Sequence, residues 1–253
     1  MDALHIHWDI GNAGAWGDTF GALNALFTAT ASIGVLWTLA LQRRQLRDQS
    51  LEMQAQRAHL NASERSHNVQ RFERTFFELL HLLRQEREGL HFRYSDAYID
   101  ALARRKRRVS SEPHSGALAV RAALREARYW LGIERRVHPL TRQRAAHVYA
   151  LRIHGRYEGS LGPYFRLIYT LLRNIKEDEW MTEEERIRYA RLLRSQLTSH
   201  EAGLVGVNAL ANFSKDLSDL VTEYRLLKYA SAGTKGLLQN YYDASAFRSR
   251  GST

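Results

Sequence analysis

Two residue pairs in this sequence have the types and spacing of a phosphodiester-cleaving site, Arg194 with His200 and Arg142 with His147. On paired helices, an arginine and a histidine with four to six residues between them can hold a scissile phosphate while the imidazole moves a proton at the leaving oxygen. The chain has 32 Arg and 11 His in 253 residues, so about four such spacings arise by chance, and six occur. The pattern alone therefore assigns no catalysis. Glu201, beside His200, reads as a helix-capping residue and not as a third catalytic group. The sequence is expected to encode no enzyme, with Arg194 and His200 as the residues of an RNase alternative.

Other chemistry is sparse. The chain has no Cys, which removes disulfides, thiolate metal sites and a Cys nucleophile. No P-loop, HExxH, GxSxG, GxGxxG or EF-hand pattern is present. His5, His7 and Asp9 lie close together, but three ligands on a polar N-terminal segment make a poor closed site, so no metal, cofactor or small-molecule substrate is expected. The run Arg104, Arg105, Lys106, Arg107 and Arg108 reads as a patch for an anionic partner. Lipid headgroups, RNA and DNA all offer dense negative charge to such a patch. Tyr94, Tyr98, Tyr129 and Trp130 lie nearby in sequence and are candidates to stack on bases.

The formal net charge of +10 is distributed unevenly, at −3 over residues 1–42, +11 over 43–160 and +2 over 161–253. Just before the step lies Thr19 to Gln42, without a single charge. About 20 such residues suffice to span a hydrocarbon core of about 30 Å. Trp16 and Trp37 sit near its ends, where aromatic rings mark a membrane interface, and Arg43, Arg44 and Arg47 follow directly. The early charges are acidic, unlike the basic n-region of a signal peptide. The positive-inside rule then predicts a single-pass protein of the inner membrane, N-terminus outside and the remainder cytoplasmic. Gly21, Ala25, Ala29, Ala31 and Gly34 allow close helix contacts, so self-association is expected to support the span.

The elements that must position these residues read as helices throughout. From Arg43 to about Gln70 the chain has no Gly or Pro, and Leu39, Leu46, Met53 and Leu60 recur every seven residues, the column of a weak coiled coil or a solvated connector. Phe72, Phe76, Leu79, Leu80 and Leu83 form one face of an amphipathic helix. Residues 91–160 read as a basic insertion with a loop at Val109 to Gly116 and helices from about Ala117 to Leu131 and Leu140 to His154. Pro163 starts a helix with the stripe Phe165, Ile168, Leu172 and Ile175. Thr182 to Glu185 and Thr198 to Glu201 have capping-box spacing, and Ser214 is the expected cap of a helix presenting Leu217, Leu220, Val221, Tyr224 and Leu227. No strand alternation is evident. The expected fold is all-α: an external segment (1–16), a transmembrane helix (17–42), a juxtamembrane stalk (43–70), a cytoplasmic helical bundle (71–230) and a flexible tail (231–253).

Four strings in this order carry a resemblance: Phe72-Glu73-Arg74-Thr75-Phe76-Phe77-Glu78-Leu79-Leu80, Pro163-Tyr164-Phe165-Arg166-Leu167-Ile168-Tyr169, Leu193 to Glu201, and the Tyr224 to Lys228 segment. Together with Trp16 to Gly21 leading into an apolar helix, they resemble membrane-anchored members of the phage abortive infection (AbiC-like) family. The Arg-rich middle and the single hydrophobic span depart from that family's pattern. The resemblance implies an anti-phage effector, or toxin, that arrests the infected host without supplying an active site. It also implies control by a co-encoded defence protein or nucleoprotein, such as a retron reverse transcriptase with its RNA–DNA hybrid. The reading is an oligomerising effector that disturbs the membrane. Its alternatives are a HEPN-like helical RNase on a membrane anchor and a membrane-tethered nucleic-acid-binding regulator.

Overall fold

The computed structural model describes residues 10–107 and 109–248, with side chains from Gly17 onward except Thr19. The chain is 82 % helical, and the all-α expectation holds. The elements in order are α1 (Ile10–Gly89), β1 (His91–Phe92), α2 (Asp96–Ala103), β2 (His114–Ser115), α3 (Gly116–Val137), α4 (Arg142–Tyr149), a π turn (Ala150–His154), α5 (Gly155–Glu177), α6 (Glu183–Gln196), α7 (Ser199–Asn208), α8 (Lys215–Glu223) and α9 (Ala232–Leu238). The only sheet among the described residues is β1 paired antiparallel with β2, two residues each.

The chain divides into two units, Met1–Ser66 and His67–Thr253. In the first, α1 includes a stretch long and apolar enough to cross a membrane, with a mean hydropathy of 1.5. None of it is buried by the rest of the chain. Its hydroxyls close on the helix itself: Thr28 donates to the Asn24 carbonyl at 2.7 Å, and Thr30, Ser32 and Thr38 each donate to the carbonyl four residues earlier at 2.8 Å. Such bonds leave few polar groups needing water. The expected span, stalk and Phe72 helix are one continuous element, because no Gly or Pro interrupts the chain between Gly34 and Gly89.

In the second unit, Phe72, Phe76, Leu80 and Leu83 of α1 are buried, as the sequence stripe anticipates. So are Phe165, Ile168, Leu172 and Ile175 of α5 and the face Leu217, Leu220, Val221 and Tyr224 of α8. The centre is α7, whose residues Glu201 to Asn208 are all buried. It packs against α3, α4 and α9, while α5 packs against α6 and α8. Both predicted capping boxes form, Thr182 with Glu185 and Thr198 with Glu201.

Four expectations change. Residues 91–160 are not an insertion on the surface: Val120, Ala123, Ala127 and Leu131 of α3, with Tyr149 and Ile153, lie fully inside the core. Pro163 does not open a helix. The break falls earlier, at Tyr157 (φ −133°, ψ 24°), and Pro163 sits inside α5. Ser214 makes no capping bond, and its hydroxyl instead accepts from the Asn208 amide at 3.1 Å. Of the tail expected to be flexible (231–253), residues 231–248 include α9 and buried Leu238, Tyr242 and Ala246, with the Tyr242 hydroxyl donating to the Gly206 carbonyl at 2.7 Å, and 249–253 lie outside the described residues. Burial of three apolar side chains outweighs the Ser, Gly, Thr and Lys composition that suggested disorder.

Candidate functional site: an arginine-lined groove

The second unit carries an open groove of about 670 Å³ whose walls include Arg105, Arg107, Arg121, Arg125, Arg128, Arg136 and His200. Among the described residues, no carboxylate lines it. None of its six arginines is ion-paired among the described residues, whereas Arg87, Arg93, Arg144, Arg156, Arg173 and Arg186 all are.

The fold builds this face from local rules. Positions 121, 125, 128, 132 and 136 recur at helical spacing, so four arginines and Gly132 share one side of α3. The opposite side is the Ala-rich one that enters the core. One carboxylate on that inner side, Glu126, ties the groove together. It is fully buried and accepts from the Ser95 amide at 3.1 Å, the Ser95 hydroxyl at 2.6 Å, Trp130 Nε1 at 3.2 Å and Arg156 Nη1 at 3.0 Å. Ser95 is also the N-cap of α2, its oxygen accepting from the Tyr98 amide at 3.2 Å. Glu126 thus fixes where α2 starts against α3, and Tyr98 and Leu102 of α2 form part of the groove's lining. Burial raises the Tyr98 pKa, with Arg125 opposing the shift.

Of the run Arg104 to Arg108, only Arg105 and Arg107 enter the groove lining; Arg104 and Lys106 are exposed, and Arg108 lies outside the described residues. The chain reverses here because Lys106 adopts a left-handed conformation (φ 55°) and the Arg107 amide donates back to the Leu102 carbonyl at 3.0 Å. The Arg105 guanidinium lies 5.5 Å from the centre of the Tyr129 ring. His200 stays below its ordinary pKa, first through burial and then through Arg121 and Arg128, with Glu201 opposing.

Arg194 and His200 do not share a cleft. Arg194 lines a separate cavity of about 90 Å³ with Glu183, Arg191 and Glu223. Its Nη1 donates to the Tyr224 carbonyl at 3.1 Å, satisfying backbone at the end of α8. Glu201 caps α7 and also accepts from the Tyr164 hydroxyl at 2.6 Å. Arg142 donates to the Ala209 carbonyl and the Ser218 hydroxyl, both at 2.9 Å, while His147 lines another cavity. A further cavity of about 530 Å³ places His154 with Glu158, Arg166 and Asp216. His154 stacks on Phe213 at 4.3 Å, its Nδ1 is buried without a partner, and burial lowers its pKa against the opposing Glu158.

Among the interface candidates, Trp37, Arg43, Arg44 and Arg47 are exposed on α1, and the Trp16 side chain lies outside the described residues. His5, His7 and Asp9 also lie outside them, and no group of three or more His, Asp or Glu placed to hold a metal occurs among the described residues. The sequence marks the Arg-rich helices up to Arg156 as calling for an anionic partner, but the consecutive run does not single out the arginines that share one face of α3. Their signal is periodic, with basic residues at i, i+4, i+7 and i+15 behind an Ala-rich face.

Chemically, the groove can bind phosphate or carboxylate groups through guanidinium forks. Of its arginines and His200, only His200 falls in the segment with a recognisable family. No curated protein and no solved structure matches the chain. Residues 156–234, from the kink of α5 into α9, match the family model described as "Putative phage abortive infection protein".

Proposed function

We propose that this chain is a membrane-anchored effector of phage defence that arrests the infected bacterial cell by disturbing its inner membrane. The observation that carries the reading is the uncharged, fully exposed stretch of α1 up to Gln42, followed at once by Arg43, Arg44 and Arg47. A helix with apolar side chains on every side is at home in lipid, and the basic residues keep its C-terminal end in the cytoplasm. The likeness over residues 156–234 supports a role in abortive infection. Small residues in the span and the exposed column Leu46, Met53 and Leu60 favour a homo-oligomer, through which membrane lipids are perturbed without enzymatic chemistry. A co-encoded defence protein or nucleoprotein, of the kind a retron supplies, would hold the effector inactive until infection.

The test is a membrane-potential dye during phage infection of cells expressing the intact chain or Ala31→Lys. A lysine at a helix centre opposes insertion by about 2.5–3.5 kcal/mol. Loss of both depolarisation and protection in the variant is expected. Protection that survives Ala31→Lys, or deletion of residues 1–42, would overturn the membrane mechanism.

A further inference from the structure

The arginine face of α3 is not explained by the fold. Arg121, Arg125, Arg128 and Arg136 are exposed, unpaired by carboxylates, and face a concave surface to which Arg105 and Arg107 add two more guanidiniums. Like charges gathered on one face repel, and nothing among the described residues neutralises them. The partner that does so must be anionic along its length. Arg121 and Arg136 are separated by about 22 Å at 1.5 Å of rise per residue, too far for one phosphate group to reach both. Repeated anions at short, regular intervals are the chemistry of a phosphodiester strand, which places a phosphate roughly every 3.4 Å along a stacked helix.

Gly132 is an independent sign. It lies in the middle of α3, on the same face, between Arg128 and Arg136. A Cβ at this position would meet nothing within 4 Å. Packing therefore does not demand glycine, although glycine in a helix interior is unfavourable relative to alanine. Its use leaves a gap in the groove floor where a ligand can approach the helix backbone. Beside the gap, Tyr129 offers a half-buried ring already flanked by Arg105, an arrangement on which a base can stack.

We propose that the α3 groove binds a single-stranded nucleic-acid segment by its phosphodiester backbone, with the arginines pairing successive phosphates and Gly132 admitting the strand. The concavity favours a strand over a lipid surface, which would meet the rim and not the floor. The proposal deepens the reading of a basic patch for an anionic partner and does not rest on α1 being in a membrane.

The experiment measures fluorescence anisotropy of labelled U12 and dT12 with the full chain in detergent micelles, across a salt series. Binding that weakens with salt is expected, with a log–log slope of about −3 to −4 if four to six phosphates are neutralised, at roughly 0.7 per single-strand contact. Arg121→Ala with Arg128→Ala should weaken binding about tenfold and flatten the slope by about 1.4, the share of two contacts. Arg173→Ala, outside the groove lining and paired with Glu177, should change neither. Gly132→Leu should raise the melting temperature while weakening binding at least fivefold, a pairing that loss of folding cannot mimic. Preference for U12 over dT12 would identify RNA as the strand, and the reverse would identify DNA; either supports the proposal. Absence of salt-dependent binding, indifference to the α3 substitutions, competition by poly-glutamate as strong as by oligonucleotide, or groove-dependent binding to phosphatidylglycerol vesicles alone would each overturn it. Ala31→Lys should bind the oligonucleotides as the intact chain does, which separates failure of the groove from failure of the membrane reading.

Discussion

Residues 17–66 and residues 67–248 treat apolar side chains in opposite ways. In the first region Phe20, Leu26, Phe27, Ile33, Leu36 and Trp37 are 65–70 % exposed, whereas in the second Ile168, Leu171, Leu172 and Ile175 are at 0 %. The second region completes its own core and places its surplus charge outward, along α3. The first has no core to complete. Contiguous exposed apolar surface of this extent marks a lipid or protein interface, since soluble monomers rarely leave such surface in water. Sequence hydrophobicity thus has two outcomes: in α5 it selects a packing partner within the chain, and in the early part of α1 it leaves an apolar surface that the rest of the chain does not cover.

The largest break in this contrast should come from Glu126, which with Glu201 is one of two carboxylates buried in the second region among the described residues. Glu126→Ala removes the acceptor for Ser95, Trp130 and Arg156 together, leaving the Arg156 guanidinium without its carboxylate. Arg156 is partly exposed and keeps the Arg93 and Arg152 carbonyls, so the cost is that of the lost hydrogen bonds to a charged acceptor, about 1.5–3 kcal/mol for each. A denaturant midpoint well below that of the unaltered chain is expected, with Glu126→Gln intermediate because it keeps an acceptor oxygen. Equal midpoints for Glu126→Ala and the unaltered chain would show that the carboxylate does not hold α2 against α3.

The same substitution made in both regions sharpens the comparison. Leu80→Ala empties a site that is 4 % exposed and should cost about 2–5 kcal/mol. Leu46→Ala, at a site 65 % exposed, should change stability by no more than about 0.5 kcal/mol in a monomer. If Leu46→Ala instead lowers the oligomer size seen by light scattering in detergent, another copy covers that column of α1.

The sequence read the two regions unequally. Apolar stripes such as Phe72, Phe76, Leu80 and Leu83 are legible because burial and helical period coincide in them, and the capping boxes at Thr182 and Thr198 are legible because their chemistry is local. The order of α9 is not legible in composition, because it comes from Leu238 and Tyr242 packing against elements distant in sequence. Most of the groove was hidden for a similar reason. The Arg104 to Arg108 run is visible in sequence, but the turn at Lys106 that admits only Arg105 and Arg107 is not. Nor is the convergence of α2 on α3 through Glu126, two segments joined by a side chain that alone would read as a surface charge.

A smaller effect separates pH from packing. His154 and His200 are both held below the ordinary histidine pKa, chiefly by burial. Below a pH of about 6.5 the unfolded chain takes up these protons before the folded one does, so folding stability falls as pH is lowered through that value. Above it both states hold neutral imidazoles and the contribution is complete. Denaturant midpoints at pH 5.5 should lie below those at pH 7.5, and His154→Gln should narrow the gap. A gap that is unchanged in both His154→Gln and His200→Gln would assign the pH dependence to other groups.

The last expected effect concerns the turn that sorts the arginine run. Lys106 holds φ at 55°, a conformation unfavourable for a side chain with a Cβ and natural for glycine. Lys106→Gly should therefore stabilise the second region, by about 0.5–1 kcal/mol once the greater freedom of glycine in the unfolded chain is counted. Because Lys106 is outside the groove lining while Arg105 and Arg107 are within it, the substitution should leave oligonucleotide affinity within about twofold at fixed salt. A rise in melting temperature with unchanged binding would show that the turn's geometry, and not the lysine charge, presents the two arginines. A large loss of binding with the same rise in stability would place Lys106 itself on the strand.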